Sequence, residues 1–148
     1  MNVGETAPAT RVRLDSSRLA ELGQQAVRTY PREACALLLG ELVDGRAHVT
    51  ALRPCVNVAL DERRFELDPG EIVRVHGEAE ARGLDVLGVW HSHPDTEPAP
   101  SAEDESGIWS GWLALITRVE VGAAGETRAF RLADDAFVEL PLESGTNG

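Results

Sequence analysis

Alternating and helical patterns of apolar positions divide the chain into short strands and three helices. The predicted helices are Asp15 or Ser16 to about Thr29, Asp68 to about Arg82, and Ser101 to about Ser110. The predicted strands are Arg11–Leu14, Ala34–Leu39, about Ala47–Val56, Phe65–Leu67, Leu84–Trp90, Trp112–Arg118 continuing to Val121, Thr127–Leu132 and Phe137–Leu142. Hairpin turns are predicted at Val43–Arg46 and around Gly122–Gly125. This order of elements predicts an α/β sandwich around a mixed sheet.

The length of the chain indicates a single domain. With 148 residues, 43% of them hydrophobic, one globular domain spanning 1–148 can bury a core, and we expect an ordered core from about 11 to 142 with loose ends. Met1–Thr10 has neither a basic lead nor an apolar core, so it predicts no signal peptide or membrane anchor. A cytoplasmic protein without a membrane span is therefore expected.

Charge and cysteine content narrow the classes of function. The formal net charge is −11, which disfavours tight binding to nucleic acid, because phosphate contacts dominate that affinity. A partner with a basic face is the better match. Cys35 and Cys55 lack further cysteines at zinc-finger spacing and are expected to be reduced core residues. A nucleophilic Cys35 is disfavoured, since a thiol inside an apolar strand is normally inert.

The chemistry-bearing stretch is Trp90-His91-Ser92-His93-Pro94, which follows an apolar strand. In an extended chain, His91 and His93 point to one side while Ser92 points away. The loop to Pro100 can bring Asp104 near the same point. Two imidazoles and a carboxylate are a ligand set for zinc, and three protein ligands leave the fourth tetrahedral position for water, as in catalytic sites.

Each of these residues also has a purely structural interpretation. Ser101-Ala102-Glu103-Asp104 fits a capping box, in which Ser101 and Asp104 only satisfy the N–H groups of a helix start. Glu33, at the head of the most apolar strand, could be the partner that takes and returns a proton at the metal site. It could equally be an exposed acid at a strand start. The lone histidines His48 and His76 are expected at the surface.

Two separated blocks together carry a specific combination. Glu33 stands before the apolar strand that ends in Gly40, and His91, His93, Ser101 and Asp104 follow with His-x-His-x10-Asp spacing. From about Leu14 to Leu140, the chain resembles the JAMM (MPN+) metalloproteases, especially the small prokaryotic type. The resemblance implies that His91, His93 and Asp104 are zinc ligands, Glu33 is the general acid/base, and Ser101 donates to the oxyanion. The chain departs from the family pattern at Ala36, where the family usually has Gly; this puts local packing in doubt more than chemistry.

The resemblance also implies a fold and an activity. The fold is the cytidine-deaminase-like JAMM/MPN three-layer sandwich around a mixed sheet. The activity is zinc-dependent hydrolysis of the peptide or isopeptide bond after the C-terminal Gly-Gly of a ubiquitin-like or sulfur-carrier protein. A catalytically silent MPN-type scaffold is the alternative, against which the intact site residues argue. A zinc deaminase would need a Cys-x-x-Cys pair beside a His-x-Glu element, and the sequence has no Cys-x-x-Cys pair. The sequence leaves a homodimer open.

Overall fold

The computed structural model describes residues 8–61, 64–101 and 111–145. The helices are α1 (Ser16–Thr29) and α2 (Pro69–Ala81). The strands are β1 (Arg11–Arg13), β2 (Cys35–Val43), β3 (Arg46–Cys55), β4 (Asp85–Pro94), β5 (Leu113–Glu120), β6 (Ala123–Ala133), β7 (Ala136–Leu140) and β8 (Leu142–Glu143). The side chains of Asp15 and Asp68 cap the two helices, as expected for acids at helix starts.

The strands form one mixed sheet in the order β7-β6-β5-β4-β2-β3-β1-β8. Three pairings are parallel, namely β4 with β5, β1 with β3 and β1 with β8, and the others are antiparallel. Although β7 and β8 occupy opposite edges, only Pro141 separates them in the chain. A flat eight-stranded sheet would hold its edges about 34 Å apart. The sheet must therefore curl enough to bring the end of β7 next to the start of β8.

The two helices lie on opposite faces of this sheet, which gives three layers. The α1 face is packed by Leu22 and Ala26 against strand residues that include Trp90 and Leu115. The α2 face is packed by Val75 and Ala79 against alternate strand residues, including Val89 and Ile116. Neighbouring positions of one strand thus serve different layers, because successive side chains point to opposite faces. The predicted three-layer α/β sandwich is confirmed.

Most of the predicted elements are present, with three corrections. Phe65–Leu67 is not a strand, because the backbone N–H of Glu66 donates to the side chain of Asn57 rather than to a strand. The predicted turn at Gly122–Gly125 is shorter, and β6 already begins at Ala123. The predicted last strand, Phe137–Leu142, is split in two at Pro141, which has no N–H for a ladder.

Two further predictions concern the third helix and a membrane span. The predicted helix Ser101–Ser110 lies outside the described residues beyond Ser101. Within the residues that the structure describes, neither helix has the length and apolar character needed to cross a membrane.

Candidate metal centre

The antiparallel pairing of β2 with β4 brings the two blocks of candidate residues together. Cys35 pairs with His91 in this ladder. The pairing continues one residue further, since the N–H of Ser92 donates to the carbonyl of Ala34 over 3.1 Å. One more step along the same register places Glu33 opposite His93. Residues 56 to 60 positions apart in sequence are thereby set side by side at the end of the sheet.

Because side chains alternate along a strand, the two histidines of the His-Ser-His stretch point to one side of β4 and the serine points to the other. The imidazoles of His91 and His93 lie close together, with their Nε2 atoms 3.2 Å apart. Between them in sequence, the Ser92 hydroxyl accepts a hydrogen bond of 2.8 Å from the N–H of Ala34. Ser92 thus fastens β4 to the residue that follows Glu33. The prediction that the two histidines share a side is confirmed by this geometry.

Glu33, His91 and His93 form one compact, buried group. One potential ligand atom from each lies within 4.8 Å of the other two. Their exposed fractions are 4%, 0% and 6%. Glu33 is therefore no surface acid, and the structural interpretation of an exposed strand start is wrong. Burial of a carboxylate beside two imidazoles is costly unless a proton or a cation is shared among them.

Neighbouring groups orient both imidazoles. The Nδ1 atom of His93 lies 2.8 Å from the carbonyl oxygen of Glu97. A carbonyl can only accept, so Nδ1 carries the proton and the neutral ring keeps its lone pair on Nε2. The ring of His91 stacks on Phe65, with centroids 4.4 Å apart and planes inclined by 21°. The rings are thus held with their Nε2 atoms towards each other.

This geometry fits a metal ion. Two nitrogens bound about 2.0–2.1 Å from one zinc ion at a tetrahedral angle would be about 3.3 Å apart. The observed separation of the two Nε2 atoms, 3.2 Å, is close to that value. Imidazole nitrogens with a nearby carboxylate are donors suited to zinc and other divalent transition metals. Among the residues that the structure describes, His91 and His93 are therefore best placed to hold an ion, and the Glu33 carboxylate lies next to them.

Comparison with known proteins identifies the family of the chain. Residues 15–133 match the family described as prokaryotic homologues of the JAB domain. The chain belongs to this family. It is a JAMM-type enzyme, a hydrolase, as its curated relatives indicate.

Several relatives of this JAB-domain chain are named enzymes. It is 38% identical to a desampylase of Haloferax volcanii over 128 residues, covering 85% of this chain and 88% of the relative. It is 32% identical to a desampylase of Pyrococcus furiosus, covering 69% and 68%. It is 28% identical to the CysO-cysteine peptidase of Mycobacterium tuberculosis, covering 79% and 80%.

Solved structures show the same fold. The solution structure of a Desulfitobacterium hafniense protein superimposes with a TM-score of 0.82 at 26% identity, covering 92% of this chain and 94% of that one. The solution structure of a Salinibacter ruber protein gives a TM-score of 0.70 at 31% identity, covering 90% of both chains.

The other candidate residues lie outside the group of Glu33, His91 and His93 or outside the described part of the chain. Ser101 is exposed and is the last described residue before 102–110. Asp104 lies outside the described residues. The oxyanion role of Ser101 and the ligand role of Asp104 therefore stay predictions. His48 is half-buried on β3 and His76 is exposed on α2, and in the described part of the chain neither joins the metal-binding group.

The two cysteines are buried next to the site and are not activated. Cys35 and Cys55 are free thiols that face each other across β2 and β3. Burial raises the pKa of the Cys35 thiol far above its usual range and raises the pKa of Cys55 to about 11. Both thiols therefore stay protonated at neutral pH, which argues against a cysteine nucleophile.

Sequence reasoning missed the residues that support the site. Asn57 was expected only in a polar loop, and Phe65 in a short strand. Tyr30, whose hydroxyl donates to Asp95 over 2.7 Å, was not singled out. No local pattern distinguishes these residues, because their contacts with Glu33, His91 and Asp95 join positions distant in sequence and depend on the fold.

Proposed function

We propose that the chain is a zinc-dependent peptidase or isopeptidase acting in the cytoplasm. It hydrolyses the bond after the C-terminal Gly-Gly of a ubiquitin-like or sulfur-carrier protein. The observation that carries the proposal is the convergence of Glu33, His91 and His93 in one buried group at the end of β2 and β4. The family relationship supports the same chemistry.

In this proposal His91, His93 and Asp104 hold the ion. Zinc, when bound, acts as a Lewis acid and lowers the pKa of water to about 7, so that a nucleophile is available at neutral pH. The hydrogen bond from His93 to the carbonyl of Glu97 keeps that imidazole in the tautomer that can bind a metal. The stack of His91 on Phe65 fixes the second ring.

The chain's own residues handle the proton and the developing charge. The Glu33 carboxylate takes a proton from the attacking water and returns it to the leaving amine as the carbon–nitrogen bond breaks. The Ser101 hydroxyl donates to the oxyanion that forms on the former carbonyl oxygen. A donor of this kind typically contributes about 3 kcal/mol to lowering the barrier. Burial of Glu33 beside the two histidines keeps bulk water away from its carboxylate.

The substrate class is inferred from the relatives and from the chemistry of the tail. Relatives include desampylases and a CysO-cysteine peptidase, the second named for a conjugate that ends in cysteine. A Gly-Gly tail is slender and can lie extended beside a sheet edge, where its main chain pairs with a strand. Only two residues, Asp44 and Gly45, join β2 to β3. This hairpin has no room for an added recognition segment, which favours a small partner over a long polymer.

The test is cleavage of a sulfur-carrier protein of the ubiquitin fold, extended past Gly-Gly by one cysteine or by a short peptide. The zinc-loaded wild type should cut after the second glycine, and a carrier with Gly-Gly replaced by Val-Val should resist. Glu33→Gln should lower kcat by about 100- to 10,000-fold while zinc content and KM stay near wild type.

Two results would contradict the proposal. If Glu33→Gln lost zinc to the same degree as His91→Ala, Glu33 would be a ligand and the general-base role would be wrong. If the zinc-loaded wild type cut no extended carrier, the alternative of a catalytically silent scaffold would replace the enzyme.

A further inference from the structure

We propose that Asn57 is a positioning residue of this site, and the inference rests on the proposed function. Its side-chain amide ties the backbone of Glu33 to the loop segment that carries Phe65. One side chain would then set the place of both the general base and the ring that orients His91. The four hydrogen bonds of the Asn57 side chain go to main-chain groups, so Asn57 acts on the site by placing Glu33 and Phe65.

The amide of Asn57 makes four hydrogen bonds, all to main-chain groups. Its Nδ2 donates to the carbonyls of Glu33, at 2.9 Å, and Arg64, at 2.8 Å. Its Oδ1 accepts from the N–H groups of Ala59 and Glu66, both at 3.0 Å. Two donors and two acceptors are the full capacity of a carboxamide. The network is therefore saturated, which makes it rigid and intolerant of a changed donor pattern.

The bonds to Asn57 flank Phe65 on both sides. The carbonyl of Arg64 precedes the ring and the N–H of Glu66 follows it, and both bind the same amide. Phe65 is 6% exposed and stacks on His91. Moving this backbone by a fraction of an ångström would tilt the ring that fixes the imidazole.

The hydrogen bond from Asn57 to the carbonyl of Glu33 is one of several that hold the backbone around Glu33 in place. On its C-terminal side, Ala34 is held to Ser92 through both its N–H and its carbonyl. The carbonyl of Glu33 itself is held by Asn57. On its N-terminal side, the Arg32 guanidinium donates to the carbonyl of Ala59, in the same loop. The loop and the start of β2 are thus joined at two points, one of them the amide of Asn57.

Asn57→Asp is the sharpest variant, because it keeps the shape and the two acceptors but removes both donors. A carboxylate oxygen would then face the carbonyls of Glu33 and Arg64, which repel it. Asn57→Ser removes the hydrogen bonds of the amide without adding charge. It replaces Asn57→Asp in the experiment if that variant folds poorly. Leu60→Ala is the matched control, since Leu60 lies in the same loop and is fully exposed at 101%.

The experiment measures kcat, KM and the zinc Kd, the last by competition with a chromophoric chelator, together with Tm. Asn57→Asp should lower kcat by about 10- to 100-fold with KM within about threefold, and should weaken zinc binding about tenfold. Phe65→Leu, which removes the stack on His91 but keeps a buried apolar side chain and the hydrogen bonds of Asn57, should weaken zinc binding similarly. It should leave kcat of the zinc-saturated enzyme nearly unchanged. Leu60→Ala should leave kcat and the zinc Kd at wild-type values.

The outcomes separate this inference from the proposed function. Wild type that binds zinc and cuts, beside Asn57 variants with unchanged kcat and zinc Kd, would overturn the inference alone. A lower Tm with normal kcat and zinc Kd in the folded fraction would also overturn it, since that is a purely structural role. Wild type that binds no zinc would overturn the proposed function, and the inference with it.

Discussion

At the scale of single residues, Cys35 shows that the hydrophobic core lies directly beside the candidate metal centre. It pairs with His91 on one side and with Cys55 on the other, and it is completely buried. Its thiol donates weakly to the carbonyl of Cys55, 3.6 Å away. Desolvation favours the protonated thiol, so this cysteine packs beside the site without being a nucleophile.

We expect Cys35 to be unreactive in the folded protein. At pH 8, a raised pKa means that almost no thiolate forms, so iodoacetamide should label neither cysteine in the time that fully labels the protein unfolded in guanidinium. Cys35→Ala should keep kcat within about threefold and lower the free energy of unfolding by about 1–2 kcal/mol. Labelling followed by mass spectrometry, and the kinetics of the variant, check this. Rapid labelling of Cys35 or loss of turnover in Cys35→Ala would revive the cysteine mechanism.

Single residues were predictable to the extent that their partners are local. The approach of His91 to His93 follows from the two-residue period of a strand, so the spacing alone predicts it. The approach of Glu33 to His93 depends on the register of β2 against β4, which no local pattern contains. Only the family resemblance placed Glu33 at the site. Asn57 and Phe65 have long-range partners as well, and neither carries a motif.

At the scale of elements, β4 carries both histidines and must lie very close to β5. A methyl group on Gly88 would stand 2.2 Å from the carbonyl oxygen of Leu113 and 2.6 Å from its nitrogen. Backbone atoms cannot move aside as a flexible side chain can. Gly88 is therefore required by the close approach of two backbones in the middle of the sheet.

Gly88→Ala should lower the free energy of unfolding by about 3 kcal/mol or more, because β4 must shift away from β5. The displacement should weaken zinc binding as well, since His91 and His93 follow on the same strand. Gly77→Ala is the control: this α2 glycine has no atom within 4 Å of an added methyl, and the change should stabilise by about 0.5–1 kcal/mol. Urea denaturation of both variants measures these changes in the free energy of unfolding. A Gly88→Ala protein as stable as wild type would contradict the close approach of β4 to β5.

Elements with strong apolar periodicity were predicted well, and those shaped by tertiary contacts were not. Helix α1, with its cap at Asp15, matches the sequence pattern closely. Strand β4 was predicted to end at Trp90 but continues to Pro94, because the ladder with β5 extends through both histidines. The residues Phe65–Leu67 have strand-like composition, but their hydrogen bonds go to a side chain and to a loop. The split at Pro141 sends β8 to the opposite edge, which requires the curl of the whole sheet.

At the scale of the whole molecule, the charge of −11 is the property most relevant to a partner. Described acids and arginines pair locally, as Arg53 does with Glu78 and Arg128 with Glu139. Since the sequence has 25 acidic residues and 14 basic ones, a surplus of 11 negative charges remains uncompensated. A protein substrate with a basic face would be attracted before it docks.

We expect salt to weaken the use of such a substrate. Raising NaCl from about 50 to 500 mM shortens the Debye length from about 14 to about 4 Å, so KM for the carrier protein should rise several-fold with kcat nearly constant. A short neutral peptide ending in Gly-Gly and a leaving residue is the control and should be insensitive. Michaelis kinetics at several salt concentrations test this; an unchanged or falling KM for the carrier would contradict a role for charge.

Metal content, measured by mass spectrometry on protein purified without a metal-affinity tag, tests the central claim most directly. Wild type should carry about one zinc per chain, and His93→Ala should lose it, because removal of one of three protein ligands leaves too few donors. Asp104→Ala should lose it too, and Glu33→Gln should keep it. Wild type that takes up no metal even when zinc is supplied would contradict the account, and would leave Glu33, His91 and His93 as a buried polar group without catalytic purpose.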